Sequence, residues 1–496
     1  MTRPIRRLLV ANRGEIALRI VRACHELGIE AVAVHSDADA GAPHVRAADL
    51  AIPIGPAPAA ESYLKIPAIL EAAARSGADA IHPGYGFLSE RAAFAEACSS
   101  AGLIFVGPPA GAIAKMGSKI DARALMERAG VPVVPGRTPH DQSDAGITAA
   151  ARDIGFPVLI KASAGGGGKG MRSAADGAAL AEAIPAARRE AQAAFGDGTL
   201  YVERLVARPR HVEVQIFCDA HGNAVHLFER ECSVQRRHQK IVEESPSPAL
   251  TPALRERMGA AAIAAAKGAG YVNAGTIEFL LEGAGDGASF YFLEMNTRLQ
   301  VEHPVTEMVT GTDLVRAQIL VAKGEALPWR QDDLRQRGHA IECRIYAEDP
   351  AAGFLPQAGR LRLYREPSGP GIRVDSGVVE GADVPVQYDP MLAKLIAHGE
   401  SREAATARAV EALRSFPVLG VRTNVAFLIN VLRHPAFVSG ALHTGFVDEH
   451  VDRLLASPAP SGVVAAAAAH ARTIRPSVAT AVRTDDPWTA LQRWGR

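Results

Sequence analysis

The regular alternation of short and long apolar segments in the amino-terminal quarter constrains the fold of this chain more than any other feature. Short apolar runs bounded by turn residues predict buried strands, whereas longer runs with apolar residues three and four apart predict amphipathic helices. The predicted order is strand "RRLLVAN", helix "EIALRIVRACHELG", strand "EAVAVHS", helix "YLKIPAILEAAARSG", strand "AIHPGYG", helix "RAAFAEACSSAG" and strand "IFVGP". This alternation predicts a doubly wound parallel sheet with ligand loops after the carboxyl ends of its strands. The segment "HPGYGFLSE" is one such loop.

The chain as a whole is predicted to have an α/β and α+β multidomain architecture. The predicted domains are an N-terminal Rossmann-like parallel-sheet domain over residues 1–118, a central α+β domain over 119–333, a C-terminal mixed α/β domain over 334–450 and a linker or tail over 451–496. The tail loses periodicity and gains Pro, Ala and Ser, which is typical of a linker.

Charge and composition exclude several classes of function. The chain of 496 residues has 54 basic and 54 acidic side chains, so no overall field favours nucleic acid or an acidic membrane. No apolar run approaches the roughly 18 residues that a membrane helix needs. Five singly scattered cysteines fit reduced thiols. We therefore expect a soluble, cytoplasmic protein without a nucleic-acid or membrane partner.

The glycine-rich segment "KASAGGGGKGM", Lys161 to Met171, has two interpretations. Four consecutive glycines form either a flexible linker or a turn whose backbone N–H groups approach a phosphate. A short apolar run precedes the segment, and the sequence after it indicates mostly helix. A strand, a turn with flanking lysines and a helix fit phosphate better than a spacer, although no Walker motif is present.

Two apolar runs around "EGAGDGAS" predict a β-hairpin. If the hairpin is symmetric about Asp286, Glu278 on one strand lies opposite Glu294 on the other. Opposed carboxylates in apolar strands repel each other unless a cation lies between them, and Mg²⁺ prefers oxygen ligands and phosphate. The alternative is that each carboxylate pairs with its own basic residue.

Polar and apolar residues alternate after the second hairpin strand. At a period of two, one face carries Glu294, Asn296, Arg298, Gln300 and Glu302. A solvent-exposed face would also explain this pattern. The five side chains can line one cavity only if the chain bends after about Asn296.

Two further groups of polar residues have an ordinary explanation when taken alone. The basic segment "RECSVQRRHQK" is typical of a solvated surface. The strand "RHVEVQIF" places His211, Glu213 and Gln215 on one face, where a lone histidine is more often structural than ligand-binding.

Taken together, the motifs resemble the biotin carboxylase family of ATP-grasp enzymes. The resemblance is carried by "LLVANRGEIALRI", "HPGYGFLSE", "KASAGGGGKGM", "RHVEVQIF", "SVQRRHQK", "EMNTRLQVEHPVTEM", "ECRIYAED" and "GVRTN". These long and specific motifs cover about residues 5–450. The resemblance implies a central ATP-grasp domain with a mobile glycine-rich lid over about residues 133–205, and the family's C-terminal domain after it.

The resemblance also implies a role for individual residues. ATP would be contacted by Lys119, Lys161, Gly167, Gly168, His211, Gln235, His238 and Glu278, and its adenine by Glu203, Arg204, Leu205 and Val206. Mg²⁺, or Mn²⁺ in its place, would be held by Glu278, Glu294 and Asn296. Bicarbonate would be held by Lys240, Arg298, Gln300 and Val301, with Glu302 as the base. Biotin would be received by Arg344 and the neighbourhood of Tyr85.

The implied reaction is carboxylation of carrier-bound biotin from ATP and bicarbonate, through carboxyphosphate. It is the first half-reaction of an acyl-CoA carboxylase, expected here to be of the acetyl- or propionyl-CoA type. The implied partners are a biotin carboxyl carrier protein or domain and a carboxyltransferase subunit, in a homodimer or a larger complex. No Met-Lys-Met carrier motif occurs in the sequence, so the carrier is either a separate protein or part of a longer chain.

Two other interpretations remain at this point. Another ATP-grasp ligase, such as a carbamoyl-phosphate-type activator of bicarbonate, would share the ATP motifs but not "QVEHP" and the Arg344 region. A nucleotide-binding scaffold without activity is disfavoured, because every expected catalytic position is occupied.

Overall fold

The amino-terminal strands form a five-stranded parallel sheet, which confirms the predicted doubly wound fold. The computed structural model describes residues 3–163 and 171–456. The strands are β1 (Arg7–Val10), β2 (Glu30–Ser36), β3 (Leu50–Gly55), β4 (Ala80–His82) and β5 (Ile104–Phe105), in the order β3-β2-β1-β4-β5. The helices are α1 (Gly14–Glu26), α2 (Pro43–Ala47), α3 (Ile66–Ser76), α4 (Ala92–Ser100) and α5 (Ala110–Gly117). Leu8 and Leu9 of β1 pack into different apolar clusters, so both faces of the sheet are covered.

The residues around the glycine-rich segment form a small sheet with its own apolar core. Its strands are β6 (Gly136–Arg137), β7 (Val158–Ala162), β8 (Arg172–Ala174) and β9 (Leu200–Arg204), in the order β6-β9-β7-β8. Helix α6 (Lys119–Arg128) precedes the sheet, and α7 (Asp144–Ile154) and α8 (Gly177–Phe195) belong to it. Ile160, Ile184 and Val202 are buried in its core. We call residues 136–204 the lid sheet.

The segment after the glycines is mostly helix, as predicted, but a short strand comes before the helix. The segment after the glycines begins with strand β8, which pairs antiparallel with β7, and not with a helix. Helix α8 begins only at Gly177, because the Asp176 side chain accepts hydrogen bonds from the backbone N–H groups of Ala178 and Ala179. The glycine-rich segment thus lies between two hairpin strands, and Gly167 and Gly168 lie outside the described residues.

A second, eight-stranded sheet carries most of the polar residues singled out in the sequence. Its order is β14-β13-β10-β11-β12-β15-β22-β20, and its pairings are antiparallel. The strands from the central region are β10 (Arg210–Cys218), β11 (Ala224–Arg236), β12 (Gln239–Ser245), β13 (Asn273–Glu282) and β14 (Ser289–Asn296). Helices α9 (Pro252–Ala269), α10 (His303–Thr310) and α11 (Leu314–Ala322) accompany them.

The large sheet continues into the carboxyl-terminal region through β15 (His339–Tyr346), β20 (Ile372–Ser376) and β22 (Met391–Gly399). Shorter strands are β16 (Glu348–Asp349), β17 (Leu355–Pro356), β18 (Gly359–Arg360), β19 (Leu363–Tyr364), β21 (Asp383–Val384) and β23 (Val418–Leu419). The helices are α12 (Arg402–Arg414), α13 (Val425–Arg433), α14 (Pro435–Val438) and α15 (Phe446–Leu455). The predicted boundary at residue 334 therefore falls between strands of one sheet, and the domain boundaries stay a prediction.

Two further observations bear on the sequence predictions. Helix α15 continues past residue 450 because Leu454 is buried in the carboxyl-terminal core. Within the described residues, no helix has both the length and the apolar composition that crossing a bilayer would require.

Candidate active site

Lys240 lies at the centre of a buried cluster of carboxylates on the large sheet. Its ammonium donates to Glu213 Oε2 at 2.5 Å, to Glu278 Oε1 at 2.8 Å and to Glu302 Oε1 at 2.7 Å. The three carboxylates come from β10, β13 and the start of α10, elements that are far apart in sequence. All three N–H groups of the ammonium are therefore used, and the basic segment around Lys240 is not simply a solvated surface.

Glu302 contacts a second cation as well. Arg344 on β15 donates from Nη2 to Glu302 Oε2 at 2.9 Å and from Nε to Glu243 at 2.7 Å. Burial disfavours the charged carboxylate, but Lys240 and Arg344 together hold the pKa of Glu302 well below its usual value. In this arrangement Glu302 is ionised and weakly basic.

The predicted hairpin register is confirmed at the carboxylate pair. Glu278 on β13 lies opposite Glu294 on β14, and a bulge shifts the pairing on the loop side, where Phe279 faces Phe292. Strand β14 ends at Asn296, so the chain bends where the sequence required it. The bend brings the polar residues of the alternating segment back toward Glu278.

Glu278 and Glu294 differ in their surroundings. Glu278 accepts from Lys240, pairs with His211 Nε2 at 2.8 Å and accepts from Asn296 Nδ2 at 2.8 Å. Burial opposes its charge, but Lys240 and His211 lower the pKa of Glu278 strongly. This matches the alternative in which a carboxylate has its own basic partner.

Glu294 is an exposed residue whose side chain has no hydrogen bond or ion pair among the described residues. The protein packed around its carboxyl group and the charge of Glu278 raise the pKa of Glu294. A carboxylate that faces another carboxylate without a cation of its own fits a divalent ion with oxygen ligands. The donor set of Glu278, Glu294 and Asn296 therefore fits Mg²⁺ chemically.

Other acidic groups of the cluster are less suited to a metal. Among the described residues, His211, Glu213 and Glu278 approach one another closely enough to share an ion, as do Glu213, Cys232 and Glu302. Both groups contain carboxylates that already contact the Lys240 ammonium. Neither group contains Glu294, which has no cationic partner among the described residues, so both offer less to a metal than the set of Glu278, Glu294 and Asn296 does.

Arg298 lies on the bend, and its guanidinium group donates four hydrogen bonds. Its Nε donates to Glu90 Oε2 at 3.0 Å, its Nη1 to Gln300 Oε1 at 2.9 Å and its Nη2 to Asn296 Oδ1 at 3.1 Å. A fourth contact joins Nη1 to the Leu299 carbonyl oxygen at 3.2 Å. Gln300 also donates to Glu278 at 3.2 Å, which connects Arg298 to the Lys240 cluster.

Glu90 was not predicted as a site residue. It ends the loop "HPGYGFLSE", and its second oxygen accepts from the backbone N–H of Thr297 at 3.0 Å. Its position in a loop at a strand end was a signal, but the partner Arg298 lies more than two hundred residues away.

Residues expected to contact ATP form a second group. Lys161 on β7 and Glu203 on β9 form a buried ion pair within the lid sheet. Lys119 begins α6, and its pKa is lowered by burial and by the nearby charge of Lys161. Two neighbouring ammonium groups repel each other, and an anion between them would relieve that repulsion.

The remaining predicted ATP contacts are more dispersed. Arg204 forms a two-point ion pair with Glu282 at 3.0 and 2.8 Å, while Leu205 is half-buried and Val206 is buried. Gln235 is buried on β11 opposite Lys240, whereas His238 is exposed at the turn before β12 with a φ of 65°. Gln235 thus adjoins Lys240 through strand pairing, whereas no described contact joins Arg204, Leu205, Val206 or His238 to the Lys240 cluster.

Tyr85 is linked to the cluster indirectly. Its hydroxyl donates to Glu15 Oε1, and burial together with the Glu15 charge raises the pKa of Tyr85 well above its usual value. Glu15 in turn contacts Lys394, whose ammonium donates to the Val301 carbonyl oxygen at 2.8 Å. Glu15 and Lys394 were also missed, because single charged residues in an amphipathic helix and an apolar strand give no distinctive pattern.

Comparisons with known proteins find matches that cover most of this chain. The family models "Biotin carboxylase, N-terminal domain", "Carbamoyl-phosphate synthase L chain, ATP binding domain" and "Biotin carboxylase C-terminal domain" match residues 4–113, 118–330 and 342–449. Biotin carboxylase 1 of Bacillus subtilis (strain 168) is 50% identical over 446 residues, which are 90% of this chain and 99% of that protein. A pyruvate carboxylase subunit of Methanothermobacter thermautotrophicus is 52% identical over 445 residues, 90% of each chain.

The mitochondrial methylcrotonoyl-CoA carboxylase alpha subunit of Glycine max is 53% identical over 450 residues. The match covers 91% of this chain but only 61% of that relative. Among solved structures, the biotin carboxylase domain dimer of Hydrogenobacter thermophilus 2-oxoglutarate carboxylase, in complex with MgADP, ADP and bicarbonate, has a TM-score of 0.86 and 44% identity. That match covers 91% of this chain and 99% of the other.

Proposed function

This chain belongs to the biotin carboxylase family, and we propose on that basis that it uses ATP and bicarbonate to carboxylate biotin on a carrier. The observation that carries the proposal is the buried Glu302 carboxylate held between Lys240 and Arg344. A base flanked by two cations fits an anionic substrate that must lose a proton. ATP, Mg²⁺, bicarbonate and biotin are the substrates and cofactors of this family.

Glu302 would act as the base once its cationic partners also engage ligands. Bicarbonate would compete for the N–H groups of Lys240, and biotin for those of Arg344. Each exchange removes a contact that stabilises the charged carboxylate, so the basicity of Glu302 rises. The Glu302 carboxylate then takes the proton of bicarbonate, whose oxygen forms a bond to the γ-phosphorus of ATP while the bond to the leaving ADP oxygen breaks.

Charge neutralisation would come from the lysines and the hairpin. Lys119 and Lys161 would contact the phosphates, and Glu278, Glu294 and Asn296 would hold Mg²⁺. When bound, Mg²⁺ would neutralise negative charge on the phosphate oxygens during transfer. The lid sheet would exclude water from the reactive carboxyphosphate.

The second step would take place beside Arg298 and Arg344. Carboxyphosphate separates into CO₂ and phosphate, and the phosphate takes the ureido proton of biotin. The deprotonated nitrogen then bonds to CO₂. Arg298 stays charged at every working pH, so it can hold first the carboxyphosphate and then the developing negative charge on biotin.

We also propose a carboxyltransferase and a biotin carrier as partners. Relatives are named for methylcrotonoyl-CoA and for pyruvate, so the acetyl- or propionyl-CoA type expected from the sequence stays a prediction. The cytoplasmic location likewise stays a prediction, since several relatives are named mitochondrial.

The test measures ADP release with and without bicarbonate, free biotin and ammonium. We expect ADP release to require bicarbonate, to increase with biotin and to be accompanied by carboxybiotin. Glu302→Gln should abolish the bicarbonate-dependent part, whereas the exposed control Glu400→Gln should not change it. Stimulation by ammonium and not by biotin would instead favour a carbamoyl-phosphate-type activator.

A further inference from the structure

Lys394 is a fully buried lysine on β22 that reaches the turn preceding Glu302. Its side chain is 0% exposed, and its ammonium contacts the Val301 carbonyl oxygen at 2.8 Å, Glu15 Oε1 at 3.0 Å and Asp375 Oδ2 at 3.7 Å. These contacts come from the turn after β14, from the first turn of α1 and from β20. A buried ammonium is costly unless it is paired. Here Glu15 and Asp375 supply the opposite charges, and the Val301 carbonyl oxygen accepts a hydrogen bond.

The Val301 carbonyl belongs to the peptide group that joins Val301 to Glu302. Because a peptide group is planar, a hydrogen bond that fixes the carbonyl also fixes the N–H and Cα of Glu302. The Glu302 carboxylate is separately held by Lys240 and Arg344. The side chain and the backbone of Glu302 are thus fixed by cations from different strands.

Glu15 connects this anchor to the biotin side of the site. One of its oxygens lies beside the Lys394 ammonium and also accepts from the Tyr85 hydroxyl. The contacts therefore run from Tyr85 through Glu15 and Lys394 to Val301, across the parallel sheet and the large sheet.

We propose that Lys394 is a positioning residue that fixes the Val301–Glu302 peptide, with Glu15 as its charge partner and link to Tyr85. The inference rests on the proposed function, because it assigns Lys394 its effect through the base Glu302. Burial opposes the charge of Lys394, but Glu15, Glu342 and Asp375 hold the pKa of its ammonium above the usual value. Lys394 therefore stays a cation and a hydrogen-bond donor at working pH.

The experiment separates positioning from a purely structural charge balance. Lys394→Met leaves Glu15 buried without its cation, so we expect a lower melting temperature. The double variant Glu15→Gln/Lys394→Met removes one charge of each sign, while Asp375 keeps its two contacts with Arg373. The double variant should regain most of the melting temperature lost by the single variant.

The value of kcat distinguishes a positioning role of Lys394 from a purely structural charge balance. If Lys394 positions Glu302, kcat for bicarbonate-dependent ADP release in the double variant should stay about 10²-fold below wild type, because small misplacement of a catalytic group costs rate on that scale. The single variant Glu15→Gln keeps the Lys394 contact with Val301 and should retain a higher kcat than the double variant. The exposed lysine variant Lys267→Met is the matched control.

Two results would overturn the inference. One is a double variant whose kcat recovers together with its melting temperature, and the other is equal kcat in Glu15→Gln and the double variant. All activities are measured below each melting midpoint and are normalised to the folded fraction from circular dichroism. Failure of the proposed function is recognised separately, because wild-type protein would then lack bicarbonate-dependent ADP release.

Discussion

At the scale of single residues, Glu302 and Arg298 are close in sequence but have different partners. Glu302 lies between Lys240 and Arg344, whereas Arg298 is held by Glu90, Gln300 and Asn296. We expect Glu302→Gln to reduce ADP release and carboxybiotin formation together, because deprotonation of bicarbonate precedes both. Arg298→Ala should reduce carboxybiotin more than ADP, by about 10²–10³ in rate, because in the proposed reaction its charge would also be needed when biotin becomes negative.

The two products are measured in parallel, with a melting curve for each variant. Equal proportional losses of both products, together with lower melting temperatures, would mean that the two side chains only brace the bend after Asn296.

At the scale of elements, the β13–β14 hairpin sets two carboxylates opposite each other and leaves one of them without a cation. Glu278 is paired with Lys240 and His211, whereas Glu294 is exposed and faces Glu278. We expect Glu294→Gln to raise the Mg²⁺ concentration for half-maximal ADP release by about 10- to 100-fold, since one charge-assisted contact is lost. The fold should be intact, because this side chain has no ion-pair partner among the described residues.

The measurement is an Mg²⁺ titration at fixed ATP, with the exposed Glu400→Gln as the matched control. An unchanged Mg²⁺ dependence would contradict the shared cation.

At the scale of the whole molecule, the large sheet buries a carboxyl group that affects stability as the pH changes. Glu342 on β15 is fully buried opposite Glu243, and neither of its oxygens has a hydrogen-bond partner among the described residues. Burial, with help from Glu243 and despite Lys394, raises the pKa of Glu342 well above its ordinary value of 4.5. The folded protein therefore binds a proton that the unfolded chain releases as the pH rises.

Because the pKa of Glu342 is raised in the folded state, the free energy of unfolding falls as the pH rises. The loss is about 1.4 kcal/mol per pH unit above the unfolded pKa, until the folded pKa is reached. Glu342→Gln should remove this slope, so wild type should lose stability relative to the variant as the pH rises. Urea unfolding at several pH values between about 5.5 and 7.5 measures the free energy of unfolding of both proteins. If this free energy changed with pH equally in wild type and variant, Glu342 would already be ionised.

Several features of the fold and the site could be predicted because they depend on local patterns. The alternation of strands and helices defined the parallel sheet, since each segment shows its own period of apolar residues. The spacing around Asp286 predicted the register of Glu278 and Glu294, because a hairpin pairs residues that are near in sequence. Long motifs identified the family. The strand after the glycines was missed, because β8 has only three residues, too few to show a period of two.

The sequence by itself thus determined the type of each long element, the hairpin pairing, the family and the kinds of residue at the site. Only the tertiary structure decided which charges are partners. Lys240 meets carboxylates from three separate elements, Arg298 is held by Glu90 of the amino-terminal region, and Lys394 reaches the turn of Val301. The physical reason is that an ion pair depends on distance and burial in space, whereas periodicity reports only which face of one segment is apolar.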